Sequence, residues 1–224
     1  MQLKIEVPKE FKVLFDLDSD LRHIVLYGGR ASGKSTSVAL SLLILGMNKK
    51  LRILCTREVQ NSIADSVHKL LSDLISKYKL NTWEVQKDII RNKQTGSEIF
   101  FKGLHNNSQS IKSIEGIDIV WVEEAQSVSA DSINTLVPTI RKAGSRLIWT
   151  FNRLTENDPV WELIVKKADD RTFVQRINSD AIESLLSKEI IEEREKMRID
   201  NPEMFEHVWL GEPMTAKTGS VFGK

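Results

Sequence analysis

Residues 28–35 read Gly-Gly-Arg-Ala-Ser-Gly-Lys-Ser, with the apolar run His23–Tyr27 before them and a helix-forming stretch over 35–47 after them. Few segments restrict a chain more. The spacing G-x-x-x-x-G-K-[ST] between a strand and a helix makes a tight turn whose backbone N–H groups point inward, and the helix N-terminus completes a concave anion site. The plain alternative, a glycine-rich turn with an unrelated lysine, requires neither the strand nor the helix, and both are present. Gly28, Gly29, Arg30, Ala31, Ser32, Gly33, Lys34, Ser35 and Thr36 are therefore the expected nucleotide-binding residues. Lys34 is expected along the β- and γ-phosphate oxygens, and the Ser35 hydroxyl on Mg²⁺. Arg30 has two readings from its position alone. Either its fork reaches the γ-phosphate and neutralises transition-state charge, or it is a surface arginine pairing with an acid or with DNA.

A second element follows about ninety residues on. The stretch 117–125, Ile-Asp-Ile-Val-Trp-Val-Glu-Glu-Ala, is an apolar strand ending in two carboxylates, the pattern of a Walker B element. While strand geometry holds, neighbours face opposite ways, so the acids have different work. Glu123 is expected to anchor Mg²⁺ and Glu124 to polarise an attacking water. The alternative is two acids at a solvated strand end. One strand later, Thr150 and Asn152 end the run 147–152 and are candidates for sensing the γ-phosphate and coupling its loss to motion.

The runs at 23–27, 51–56, 117–122 and 146–151 alternate with helical segments, which predicts a mainly parallel sheet flanked by helices. Ile63, Val67, Leu70, Leu71, Leu74 and Tyr78 have the spacing of an amphipathic helix. Segments near 83–86, 89–92 and 98–102 are separated by polar breaks and read as a small antiparallel insertion over 82–102. Later, 158–167 reads as helix, 172–177 as strand and 187–199 as a helix capped by Ser187. The expected organisation is one motor domain over 1–214, with a helical lid subregion over 157–214, and residues 215–224 as the start of an interdomain linker.

The chain has 224 residues, and 32 Lys and Arg nearly balance 31 Asp and Glu, so no global polycation announces nucleic acid. Local basic clusters remain: Lys166, Lys167 and Arg171 in one place, Arg141, Lys142 and Arg146 in another. Each is more often a solvated face than a DNA contact. Cys55, the one cysteine, lies in an apolar run and reads as a buried thiol. No apolar stretch approaches the length of a membrane span and no signal-peptide core is present, so a soluble intracellular protein is expected. Asp16, Asp18 and Asp20 imitate a calcium loop, but Leu21 and Tyr27 stand where that loop needs Gly and Glu.

Taken in order, GGRASGKS, Cys55-Thr56-Arg57-Glu58-Val59-Gln60-Asn61-Ser62, Ser113-Ile114-Glu115-Gly116-Ile117-Asp118, Trp121-Val122-Glu123-Glu124-Ala125, Thr150-Phe151-Asn152 and Trp209-Leu210-Gly211-Glu212-Pro213 resemble the large terminase subunits of tailed bacteriophages over nearly the whole chain. The resemblance implies a P-loop NTPase of the additional-strand class, hydrolysing ATP with Mg²⁺ and translocating double-stranded DNA into a procapsid. It implies a homo-oligomeric ring, a pentamer, formed transiently at the procapsid portal vertex in the host cytoplasm, with a monomer as the alternative state in solution. Portal protein and the small terminase subunit would be its partners, and no membrane is involved. It favours Arg30 as a cis arginine finger and makes Glu124, Arg30 and Lys34 the catalytic set. A basic residue acting in trans from a neighbouring subunit would fall at Lys112, which supplies charge without the bidentate fork. Arg57 and Gln60 match a family element near the pocket; capping and packing of the next helix is their other reading. No carboxylate cluster of a nuclease domain is recognisable, so DNA cleavage is not expected. A helicase or another DNA translocase of the same nucleotide-binding class, and a nucleotide-gated assembly module, are the competing classes.

Overall fold

The computed structural model describes residues 5–59, 63–105 and 114–214. Strand β1 (His23–Tyr27) enters helix α1 (Lys34–Asn48) through the phosphate-loop sequence. There follow β2 (Arg52–Arg57), a π-wound turn over Ala64–His68 continuing as α2 (Lys69–Lys77), then β3 (Trp83–Val85), β4 (Ile89–Asn92) and β5 (Glu98–Gly103). After β6 (Ile119–Glu123) come α3 (Ala130–Thr139), β7 (Arg146–Phe151), β8 (Thr172–Arg176), α4 (Lys188–Asp200) and α5 (Pro202–Leu210).

The strands form one sheet in the order β3-β4-β5-β2-β6-β7-β1-β8. Pairings from β5 through β8 are parallel, and β3 and β4 extend the β5 edge antiparallel. The segment read as an insertion is thus the end of the main sheet, with β5 locked beside β2. β7 lies between the phosphate-loop strand β1 and the acid-bearing strand β6, which is the additional-strand arrangement. β8 also joins this sheet beside β1, so part of 157–214 belongs to the body.

Period-two alternation divides the core between two faces. Ile24, Leu26, Ile53, Cys55 and Trp121 join Val38, Leu42, Leu71 and Phe11 on one face. Val25, Leu54, Val120 and Trp149 join Ile133, Leu136 and Ile164 on the other. Each fully buried aliphatic side chain contributes roughly 1.5–3 kcal/mol, so these two layers hold the strand ends in fixed relation. Cys55 is buried, and desolvation pushes its thiol far above the usual range, as expected of an inert core cysteine. Ser187 caps α4 by accepting from the Ile190 N–H. Among the described residues no helix is long and apolar enough to cross a membrane.

Arg146 does not belong to a basic surface cluster. It is 2% exposed, with Nη1 donating to Asp16 O (2.6 Å) and Nη2 to Leu17 O (3.1 Å) and Ser19 O (3.3 Å). As the first residue of β7 it satisfies three carbonyls of the 16–19 turn. Removing the guanidinium leaves them unpaired, each costing about 1–3 kcal/mol. Arg146→Met should therefore lower unfolding stability by roughly 3 kcal/mol or more, read from the denaturant midpoint; a loss under about 1 kcal/mol overturns this role.

Candidate functional site

The sheet's geometry gathers the expected site residues at the C-terminal ends of β1, β7 and β6. A cavity of about 480 Å³ is bounded by residues 29–36, Glu123, Glu124, Gln126, residues 150–154, His207 and Val208. The loop that opens it turns on Gly28 (φ +139°) and Gly33 (φ +72°), conformations that glycine adopts without a side-chain penalty. A Cβ on Gly29 would collide with the Trp209 carbonyl at the end of α5. The loop is tied down from outside: Gly29 N donates to Asn178 Oδ1 (2.9 Å) and Arg30 N to Val208 O (2.7 Å).

Lys34 folds back into the loop. Its Nζ donates to Ser32 Oγ (2.7 Å), Gly29 O (2.8 Å) and Gly28 O (3.1 Å). Burial lowers this ammonium from 10.5 to about 7, with the nearby Glu123 carboxylate opposing the shift. Ser35 Oγ donates to Glu123 Oε1 at 3.2 Å, so the hydroxyl and carboxylate expected to share a divalent ion lie together. Hard oxygen donors of this kind suit Mg²⁺, which takes one or two protein oxygens and completes its shell with phosphates and water. Among the described residues no group of three or more His, Cys, Asp or Glu is placed to hold a metal. An ion held by Ser35 and Glu123 would thus be shared with a bound polyphosphate.

The two acids do not diverge as strand alternation predicts. β6 ends at Glu123, and Glu124 turns into the left-handed region (φ 52°, ψ 45°), a conformation that costs a non-glycine residue about 1 kcal/mol. The result is that one guanidinium serves both. Arg57, the last residue of β2, pairs through Nε with Glu123 Oε2 and through Nη2 with Glu124 Oε1 (2.6 Å). Exposure separates the acids' roles: the side chain of Glu123 is 13% exposed and that of Glu124 is 51%. Desolvation raises the Glu123 carboxyl above its ordinary value even though Arg57 pulls it down. Arg57 is therefore a constituent of the site, beyond the capping role also open to it from sequence.

Arg30 is exposed at the cavity rim, and among the described residues its guanidinium makes no ion pair. Thr150 is buried and accepts from Trp121 Nε1 (2.9 Å), tying β7 to β6 at the position in register with Glu123. Asn152 borders the cavity beside it. Gln60 and Lys112 lie outside the described residues. Asn178, Arg153, His207 and Val208 were not picked out from sequence. Their contributions depend on loops and on α5, more than a hundred residues from the glycine loop, and no local spacing marks them.

Arg57→Met tests the clamp. It leaves Glu123 buried without its cation, a change that typically costs roughly 3–5 kcal/mol. Because the folded carboxyl already titrates above its unfolded value, the folded protein holds the extra proton between those values, and stability falls as pH rises. Arg57→Met should enlarge that fall, so its destabilisation grows between about pH 5 and pH 8. A second substitution, Glu123→Gln, should restore most of the loss at the upper end. Denaturant midpoints across pH decide it; a flat difference removes Arg57 as the counter-charge.

A phosphate loop on β1, an acid pair on β6 and one added strand between them define a P-loop NTPase fold of the additional-strand class. Residues 20–212 match the family "Phage terminase large subunit", and the chain belongs to that family. It is 28% identical over 207 residues to the terminase large subunit of Bacillus phage SPP1, an alignment covering 85% of this chain and 48% of that protein. In fold it is similar to the large terminase of the thermophilic bacteriophage D6E solved in complex with ADP (TM-score 0.75, 15% identity, 92% of this chain and 53% of that one). It is also similar to the Thermus phage P74-26 large terminase ATPase domain (TM-score 0.63, 13% identity, 92% and 94%). The chain thus spans about half the length of the SPP1 and D6E proteins.

Proposed function

We propose that this chain is the ATPase motor module of a phage DNA-packaging terminase, hydrolysing ATP with Mg²⁺ to drive double-stranded DNA into a procapsid. The observation that carries the reading is the joining of Ser35, Glu123 and Glu124 beside the loop that holds Lys34. Family membership supplies the biological setting, and the D6E protein's complexes with ADP and ATP-gamma-S favour adenine nucleotides as ligands here.

In this reading the 31–36 amides and Lys34 bind the phosphates, with the ammonium exchanging loop carbonyls for anionic oxygens. Ser35 and Glu123 would hold Mg²⁺, which when bound would draw charge from the phosphate oxygens. Glu124, the more exposed acid, leaves Arg57 to accept a hydrogen bond from the attacking water and orient it. Arg30 reaches the γ-phosphate from the rim and stabilises charge spreading over its oxygens. Thr150 and Asn152 transmit loss of that phosphate along β7. The working assembly is a homo-oligomeric ring, a pentamer, at the procapsid portal in the host cytoplasm, with portal protein and the small terminase subunit as partners. Arg141 with Lys142, and Lys166 and Lys167 with Arg171, flank the N-terminal ends of β7 and β8, opposite the nucleotide; these are the DNA-facing candidates that remain once Arg146 is assigned to the core. Lys142 pairs with Asp118 and Lys166 with Glu162, so part of each cluster is already compensated.

Two substitutions test this mechanism. Glu124→Ala should leave ATP affinity near wild type and reduce turnover by several orders of magnitude, measured as steady-state phosphate release alongside direct binding. Unchanged turnover removes Glu124 as the base. Arg30→Ala should lower kcat by about a hundredfold or more with a smaller change in KM; a defect confined to KM argues for a binding role alone.

A further inference from the structure

Arg153 follows Asn152 directly, two residues past the end of the added strand, and borders the nucleotide cavity. The strand it leaves is flanked on one side by the glycine loop, where Gly28 N donates to Phe151 O (3.3 Å). On the other side the acids stand, with Thr150 in register with Glu123. A side chain starting here begins at the terminal-phosphate end of the pocket, between the two walls that a triphosphate would touch.

The arginines that hold this fold together each spend their donors on several partners. Arg22 donates to Ser145 O, Ser145 Oγ, Val137 O and Ile140 O. Arg194 donates to Ser179, Glu183 and Glu195, and Arg146 to three carbonyls. Arg153 does not follow them. Its guanidinium carbon lies 3.8 Å from the centroid of the Trp161 ring, and among the described residues its one hydrogen bond is a long one from Nη2 to Glu156 O (3.3 Å). Its Nε is buried and has no hydrogen-bond partner. A guanidinium has five N–H donors in a planar fork suited to phosphate, and leaving buried ones unused is costly.

The backbone around it is fixed. Asp158, 2% exposed, accepts from Leu154 N (2.8 Å), Thr155 N (2.9 Å) and Thr155 Oγ1 (2.9 Å), while Met214 N donates to Leu154 O (3.1 Å). Rotation of the Arg153 side chain alone therefore carries the fork between the indole and the cavity. Resting on Trp161, the cation keeps part of its stabilisation through the ring face, worth about 0.5–2 kcal/mol, which a phosphate anion readily exceeds.

We infer that Arg153 binds the terminal phosphate of the nucleoside triphosphate from the β7 side, leaving Trp161 to do so, and thereby makes the pocket prefer triphosphate to diphosphate. The inference rests on the nucleotide reading of this site. Its test compares binding of a nonhydrolysable ATP analogue and of ADP, each with Mg²⁺, to the wild-type chain and to Arg153→Met and Arg153→Lys. Methionine keeps the apolar stem over Trp161 and removes the fork. Arg153→Met should weaken the triphosphate analogue about tenfold and ADP less than about twofold, with Arg153→Lys between. An unchanged affinity ratio, including an equal loss for both ligands, overturns the role and leaves Arg153 as packing for the pocket wall. Wild-type protein that binds neither ligand overturns the nucleotide reading itself, and this inference with it.

Discussion

The pairing of Arg57 with Glu123 and Glu124 is the interaction around which the site is organised. Two carboxylates on consecutive residues, one of them mostly buried, repel each other and lose hydration; without a cation at contact the buried one takes up a proton and loses its negative charge. The strand order supplies that cation. β2 lies beside β6 with Thr56 opposite Val122, so the residue ending β2 faces the residues ending β6. Glu124 completes the contact by leaving the extended conformation, accepting backbone strain to reach the same guanidinium. The fork of an arginine serves two acids through two nitrogens, which a lysine's point charge cannot do with the same geometry.

The opposite wall is shaped by contacts from far along the chain. The glycine loop is fitted against the last turn of α5, whose Val208 carbonyl accepts from Arg30 N and whose following residue Gly211 packs on Gly28. Gly211 has φ +72°, ending the helix with its own left-handed turn, and Arg176 on β8 donates to Leu210 O and pairs with Glu212 (2.8 Å). The loop and the helix end thus meet through backbone atoms with no room for side chains, and the Arg176 side chain joins β8 to them. Met214, two residues beyond Glu212, bonds to Leu154 after β7. The segment 207–214 therefore touches the loop on one side of the cavity and the residues after the added strand on the other, and bridges the two walls.

Much of this was legible beforehand because the chemistry is local. The glycine loop needs one strand, one turn and one helix in succession, and β1 and α1 lie where the residues imply. The strands at 23–27 and 146–151 kept their limits because each is buried along most of its length on both faces, with its polar residues satisfied inside. What escaped depends on through-space neighbours. Alternation put Glu123 and Glu124 on opposite sides, and the rule failed where the strand ended one residue earlier than it required. Arg146 looked like a member of a basic run because its neighbours are Arg141 and Lys142; only the 16–19 turn folded over it reveals a core arginine. His207 and Val208 enter the pocket through the tertiary placement of α5, which no periodicity in 202–210 encodes.

Lys34 shows what the completed arrangement favours electrostatically. The ammonium is desolvated, and its partners in the loop are two neutral carbonyls and a hydroxyl, which satisfy its donors without balancing its charge. Glu123 is the acid that acts on it, and that carboxylate is itself neutralised by Arg57. Hence the ammonium falls to about 7, where protonated and neutral forms are comparably populated at neutral pH. Such a group gains most from a ligand that restores a formal negative charge beside it: a polyanion entering the loop replaces dipoles with charge and draws the lysine fully into its protonated form. The same burial that makes the cation costly in isolation makes it effective toward phosphate, because the field it exerts is screened least where water is excluded.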